Sequence, residues 1–147
     1  MTEQSRRLAL RVGLILLAGQ PALLAAWIGF APGSFYDDFP GGGRTWVDDL
    51  GPYNEHLLRD FGAANLGFLV LLVAAAVLLD RRVVQVALVS YAAAGLPHLA
   101  YHVTTADKYS TSDNILSLGA LAAAVLVPLA LLPLTREKED AWRASTQ

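Results

Sequence analysis

The sequence predicts an all-α membrane protein in which an antiparallel four-helix bundle crosses the bilayer. Of its 147 residues, 54% are hydrophobic and 16% are charged, whereas a soluble domain carries roughly 25% charged residues. The apolar residues form four long segments, at about 8–31, 57–79, 83–102 and 115–134. Each segment approaches the roughly 20 residues that a helix needs to cross a bilayer. The length indicates one domain, residues 1–147.

The two ends of the chain need separate interpretation. The first apolar segment follows basic residues, as the hydrophobic region of a signal peptide does. It is longer than such a region usually is, so we predict that it is a retained membrane helix. The tail, residues 135–147, is short and charged, and we expect a frayed helix there. No residue alternation of period two is present, which excludes a membrane barrel.

Lysine and arginine indicate an orientation, because eight of the eleven fall on one side of the predicted bundle. They precede the first segment, fill the turn between the second and third, and follow the fourth: Arg6, Arg7, Arg11, Arg81, Arg82, Arg136, Lys138 and Arg143. By the positive-inside rule this side is cytoplasmic. We therefore expect a multi-pass protein of the bacterial inner membrane with both termini in the cytoplasm.

Residues 32–56 form the predicted outer loop. Its Pro-Gly and Gly-Gly dipeptides mark turns, and its aromatic residues are typical of a segment that lies at the membrane surface. We expect an ordinary interfacial loop, with a lid over the bundle mouth as the alternative. Gly41–Arg44 lacks the Lys-Ser/Thr and the strand-to-helix context of a phosphate loop, so we expect no nucleotide binding. We also expect no nucleic-acid partner.

Ionisable residues at the outer ends of the second and third segments predict a polar site. His56 and Asp60 are four residues apart and share a helix face, which continues through the small residues 63, 64 and 67. Small residues of this spacing are typical of a face packed against neighbouring helices. On the third segment His98 and His102 share a face in the same way. We predict that these four residues form one cluster near the outer boundary, supported by Tyr101, Asp113 and Asn114.

Several chemistries are compatible with such a cluster. Three imidazoles and one carboxylate, His56, Asp60, His98 and His102, could bind zinc or non-haem iron. Alternatively, the same residues could be catalytic without a metal, with His98 or His102 as general base and Asp60 orienting it. A haem held by His56 and His98, or a structural network, also remains open. With no cysteine in the chain, thiolate sites are excluded.

The runs Pro52–Gly67 and Pro97–His102 resemble the pattern of small four-helix membrane proteins common in actinobacteria, the broad DoxX-like group. The specific parts of this resemblance are the Asn-Glu-His and Arg-Asp elements of the first run and the His-x-x-x-His element of the second. The resemblance implies a four-helix inner-membrane fold whose functional site is the polar mouth. It implies no catalytic assignment for any residue.

For function, the apolar interior and the polar mouth favour a protein that binds or transforms a lipophilic small molecule, or a lipid, entering from the bilayer. The alternative is a non-enzymatic accessory or scaffold subunit whose small-residue faces bind a larger membrane complex. A homo-oligomer is compatible with either interpretation. Whether the protein is an enzyme stays open at this stage.

Overall fold

The computed structural model describes residues 1–135, and these contain five α-helices. They are α1 (Glu3–Phe30), α2 (Pro32–Asp38), α3 (Glu55–Leu78), α4 (Arg81–Thr104) and α5 (Thr111–Leu131). A 3-10 turn, Leu132–Thr135, extends α5. The charged tail and its predicted frayed helix lie outside the described residues, as do Arg136, Lys138 and Arg143.

Four of these helices, α1, α3, α4 and α5, are long and apolar enough to cross a membrane, which confirms the predicted all-α four-helix bundle. Their outward faces are apolar as well: Phe30, Leu16 and Val77 are 92%, 74% and 68% exposed. Such a continuous apolar surface would be a liability in water, whereas lipid solvates it. The chain is therefore a multi-pass membrane protein.

Each long helix begins two to five residues before the apolar segment that predicted it, because a polar residue caps its first turn. Thr2, Asn54, Asp80 and Ser110 each accept a hydrogen bond from a backbone N–H in the first turn that follows. Such caps satisfy donors that the helix itself leaves unpaired. The helices thus extend beyond the hydrophobic segments into the polar boundary.

The loop between α1 and α3 is folded. After α2, strands β1 (Pro40–Gly41) and β2 (Arg44–Thr45) pair antiparallel, with Pro40 opposite Thr45. Gly42 and Gly43 make the turn with φ values of 68° and 77°, a region that glycine enters without steric cost. We call residues 31–54 the outer loop.

The long helices pack as two pairs, α1 with α3 and α4 with α5. Glycines permit both close approaches, because a Cβ at Gly62 would lie 2.8 Å from Ile28 Cγ2, and one at Gly95 would lie 3.1 Å from Val125 Cγ2. We call the end of the bundle that carries the turn between α3 and α4 the basic end. Toward this end all four long helices share one core, which includes Leu14, Leu72 and Leu88.

At the opposite end, the loop end, the packing is different. The core there contains Leu24, Ile28 and Phe35, with side chains of α1, α3 and the outer loop around them. Among the described residues, neither α4 nor α5 contributes to this second core. The two helix pairs are therefore joined at the basic end and separated by a space at the loop end.

Candidate functional site

The space between the helix pairs is a cavity of about 570 Å³, which we call the chamber. All four long helices and the outer loop contribute to its wall. The lining residues are Gln20, Leu24, Phe35, Phe39, Trp46, Val47, Leu50, Leu57, Leu58, Phe61, Ala94, Pro97, His98, His102, Ser117, Ala120 and Leu121. Its volume lies within the roughly 300–1,000 Å³ that is usual for small-molecule sites.

A second cavity of about 240 Å³ shares part of this wall and continues toward the basic end, and we call it the lower chamber. Phe68 and Ala124 are among the residues that line it. Near its wall the Tyr91 hydroxyl donates to Gln20 Oε1 at 2.6 Å, a hydrogen bond between α4 and α1. Together the two cavities form an elongated apolar space that begins under the outer loop.

Aromatic side chains of the outer loop form the roof of the chamber. Phe35 and Phe39 lie with ring centroids 4.8 Å apart, and Trp27 of α1 meets both rings at 5.8 and 6.0 Å. The Trp46 ring continues the group at 5.9 Å from Phe39. Three of these four rings, those of the loop, also line the chamber. The outer loop is thus a cover over the bundle mouth, the alternative to the ordinary interfacial loop that we expected.

Asp113, at the start of α5, fixes this cover to the second helix pair. One carboxylate oxygen, Oδ1, accepts from Arg44 Nε at 2.8 Å and from Trp46 Nε1 at 3.0 Å. The other, Oδ2, accepts from the Ser110 hydroxyl at 2.6 Å. Since Arg44 begins β2 and Trp46 directly follows it, one carboxylate positions the hairpin over α5.

Tyr109 adds a second attachment, because its hydroxyl donates to the Trp46 backbone oxygen at 2.6 Å. Burial, reinforced by the nearby Asp49 carboxylate, raises the pKa of Tyr109 to about 12. The phenol therefore keeps its proton at physiological pH and remains a donor. Its ring also stacks on that of His102, with an angle of 14° between the planes.

The structure brings His98 and His102 together on the chamber wall. Their ring centroids are 5.0 Å apart, and Phe61 meets His98 edge-on at 6.2 Å. Within residues 1–135 neither imidazole has a hydrogen-bond partner, and Nδ1 of His102 is buried without one. These two rings can exchange protons or hydrogen bonds with a molecule in the chamber.

His56 and Asp60 lie elsewhere, which corrects the predicted single cluster. His56 Nε2 is 3.4 Å from Asp60 Oδ2, and the two side chains are 89% and 66% exposed. Neither residue lines the chamber. Their helix face, which continues through Ala63 and Gly67, is exposed, because α3 packs on its neighbours through the face of Gly62, Asn65 and Leu72 instead.

The predicted metal centre does not fit this geometry. No group of three or more His, Cys, Asp or Glu side chains in the described part of the chain is arranged to hold a metal ion. His56, Asp60, His98 and His102 form two separate pairs, so they cannot share a zinc or iron ion, whose ligand bonds are about 2 Å long. The haem hypothesis, which needs His56 opposite His98, stays a prediction.

The three residues that were predicted to support the cluster, Tyr101, Asp113 and Asn114, have other partners in the structure. Asp113 holds the outer loop, as described above. The side-chain amide of Asn114 donates to the Ala106 and Tyr109 backbone oxygens, at 2.7 and 3.3 Å, and stabilises the turn before α5. Tyr101 is 49% exposed and meets His102 edge-on at 5.9 Å. Only Tyr101 therefore contacts a predicted site residue.

Sequence reasoning missed two features of this site. The first is Asn65, which is buried and donates to the Phe61 backbone oxygen at 2.8 Å. A polar residue inside an apolar segment is a signal that could have identified it. The second is the Arg44–Asp113 pair, which joins residues 69 positions apart and has no local signature.

Comparisons with protein-family models, with curated proteins and with solved structures find no match to this chain. The resemblance to DoxX-like proteins therefore stays an expectation. The geometry of the chamber is what indicates a function for this chain.

Proposed function

We propose that this protein binds a lipophilic small molecule, which enters from the bilayer and occupies the chamber. The observation that carries the proposal is the chamber itself, an apolar space at the loop end with two imidazoles on its wall. Binding sites for small molecules are typically concave and mostly apolar, with a few polar groups that orient the ligand. A water-soluble ligand would lose its hydration in such a space without compensation.

Binding is favoured over acid–base chemistry by the position of Asp60. The catalytic hypothesis required this carboxylate to orient His98 or His102, but Asp60 pairs with His56 on the exposed face of α3. The two chamber histidines have no carboxylate partner among the described residues. A general base usually needs such a group to hold its tautomer and orientation.

The second candidate function is an accessory or scaffold subunit of a membrane complex, with a homo-oligomer as a special case. One observation favours it: Ala63 and Gly67 are exposed on α3, and a Cβ at Gly67 would meet nothing within 4 Å. Small residues on a lipid-facing surface allow another helix to approach closely. Binding in the chamber does not exclude this role.

We also propose that the protein lies in a bacterial inner membrane with the basic end in the cytoplasm. Because the chain has no cysteine, single-cysteine variants report position without background. An impermeant maleimide applied to intact cells should label Asp37→Cys, in the outer loop, and leave Gln4→Cys unlabelled until the cells are opened. Labelling of Gln4→Cys in intact cells would reverse the orientation.

Photo-labelling tests ligand binding directly. The protein is reconstituted in phosphatidylcholine vesicles and irradiated with a diazirine derivative of dodecanol, and the labelled residues are mapped by mass spectrometry of peptides. We expect label on chamber residues of three elements, such as Trp46, Leu57 and Ala94, because a ligand in the chamber contacts all of them. Excess unlabelled dodecanol should suppress this labelling in a saturable way.

The lipid-facing surface provides the internal control for that experiment. Val70 and Leu126 are each 62% exposed and do not line the chamber, so any label there should be unaffected by competitor. Labelling that is confined to such residues, with no saturable component in the chamber, would contradict the proposed function.

A further inference from the structure

The wall of the chamber carries no formal charge. None of its lining residues is Lys, Arg, Asp or Glu. The ionic groups at its roof, Arg44 and Asp113, are 2.8 Å apart and neutralise each other. An ionised group that entered the chamber would lose its hydration and gain no counter-charge, which is strongly unfavourable in apolar surroundings.

The chamber does offer hydrogen bonds, chiefly from His98 and His102, while Gln20 and Ser117 add an amide and a hydroxyl to its wall. Three other polar groups around it already have partners. Trp46 Nε1 donates to Asp113, the Tyr91 hydroxyl donates to Gln20 Oε1, and the Ser117 hydroxyl donates to the Asn114 backbone oxygen. His98 and His102, by contrast, have no hydrogen-bond partner in the described chain. Polar groups in apolar surroundings are normally paired with protein, water or ligand, so these imidazoles are available to a bound molecule.

The position of the two imidazole rings determines how a bound ligand is oriented. His98 and His102 occupy the last two turns of α4 at the loop end, and the lower chamber extends from them toward the basic end. His98 lines both cavities. A molecule with one polar end and an apolar body fits this space with its polar end at the histidines and its body along the rest of the chamber and the lower chamber.

We infer that the ligand is an uncharged lipophile with a hydrogen-bonding oxygen at one end, such as an alcohol, ketone or quinone, and that His98 and His102 hold this oxygen. A neutral imidazole has one N–H donor and one nitrogen acceptor. The pair can therefore donate to a carbonyl oxygen, or both donate to and accept from a hydroxyl. The inference rests on the proposed function and specifies the class of molecule bound.

Competition between ligands with one tail and different heads tests this inference. Saturable chamber labelling by the diazirine dodecanol is measured against dodecanol, dodecane, dodecyl sulfonate and dodecyl trimethylammonium. The pH is 8, where an ordinary imidazole is neutral because its pKa is about 6.5. We expect dodecanol to compete at concentrations at least about tenfold lower than either ion, and about two- to tenfold lower than dodecane, as expected for one hydrogen bond.

Histidine variants then locate the head group. His98→Phe and His102→Phe should each reduce the advantage of dodecanol over dodecane, while retaining saturable labelling by the probe. His56→Phe, on the exposed face of α3, should leave that advantage unchanged and serves as the matched control. A loss of the advantage in His56→Phe alone would overturn the inference.

The outcomes separate this inference from the proposed function. Stronger competition by dodecyl sulfonate or dodecyl trimethylammonium than by dodecanol would overturn the inference and leave binding in the chamber intact. An unchanged preference for dodecanol in the His98→Phe and His102→Phe double variant would do the same. The absence of saturable chamber labelling with any probe would instead contradict the proposed function.

Discussion

Gly62→Leu is expected to destabilise the bundle, whereas Gly67→Leu on the same helix is not. A Cβ at position 62 would lie 2.8 Å from Ile28 Cγ2 and 3.1 Å from Ile28 Cβ, and Ile28 is fully buried. Leucine there must push α3 away from α1. Overpacking of this kind costs about 1–3 kcal/mol, and in a domain of this size each kcal/mol lowers the melting temperature by roughly 2–4 °C.

Comparing the two variants cancels the change in helix propensity that accompanies either substitution. Each variant replaces a helical glycine, and glycine is about 0.8–1 kcal/mol less favourable in a helix than the best helix-forming residue. Since both variants share this gain, the difference between their melting temperatures reports packing. Thermal unfolding of the purified protein in nanodiscs, followed by intrinsic fluorescence, provides that difference. Equal melting temperatures would contradict the close packing of Gly62 on α1, and a lower one for Gly67→Leu would show that α3 faces its neighbours through the side that the structure leaves exposed.

This pair of glycines also shows where sequence reasoning reached its limit. The four membrane helices follow from hydropathy, since a segment of about 20 apolar residues has few other stable conformations. The rotation of α3 does not follow in the same way. In lipid, the packed face and the outward face of a helix are both apolar, so the small residues at 63, 64 and 67 do not distinguish them.

The position of His56 and Asp60 at the start of α3 misled the site prediction for a related reason. An ionisable residue in the middle of a bilayer is costly and therefore indicates function. In the first two turns of a helix that begins at the membrane boundary, the same residue can reach water, and exposure costs little. His98 and His102 were placed correctly together because their spacing of four residues is a local property of α4.

The chamber and its cover are long-range features, which the sequence does not reveal. Asp113 was predicted to support a metal site, and the structure instead shows it holding Arg44 and Trp46 of the outer loop. This attachment joins the cover, which follows α1, to the start of α5. It therefore covers part of the space between the two helix pairs at the loop end.

Filling the chamber with a large side chain shows whether the ligand binds there. Ala94 lines both the chamber and the lower chamber, whereas its neighbour Ala93 lines neither. Tryptophan at position 94 occupies the space that a ligand would need. Tryptophan at position 93 extends toward lipid and provides a matched control of the same size on the same helix.

The measurement is saturable photo-labelling by the diazirine dodecanol in both variants, with melting temperature as the check on folding. At a probe concentration well below half-saturation, we expect Ala94→Trp to lose at least about nine-tenths of the saturable label. Under that condition the loss corresponds to a tenfold loss of affinity, or about 1.4 kcal/mol. Ala93→Trp should retain the label of the unsubstituted protein. Full saturable labelling in a folded Ala94→Trp variant would contradict the account, because the ligand would then be bound outside the chamber.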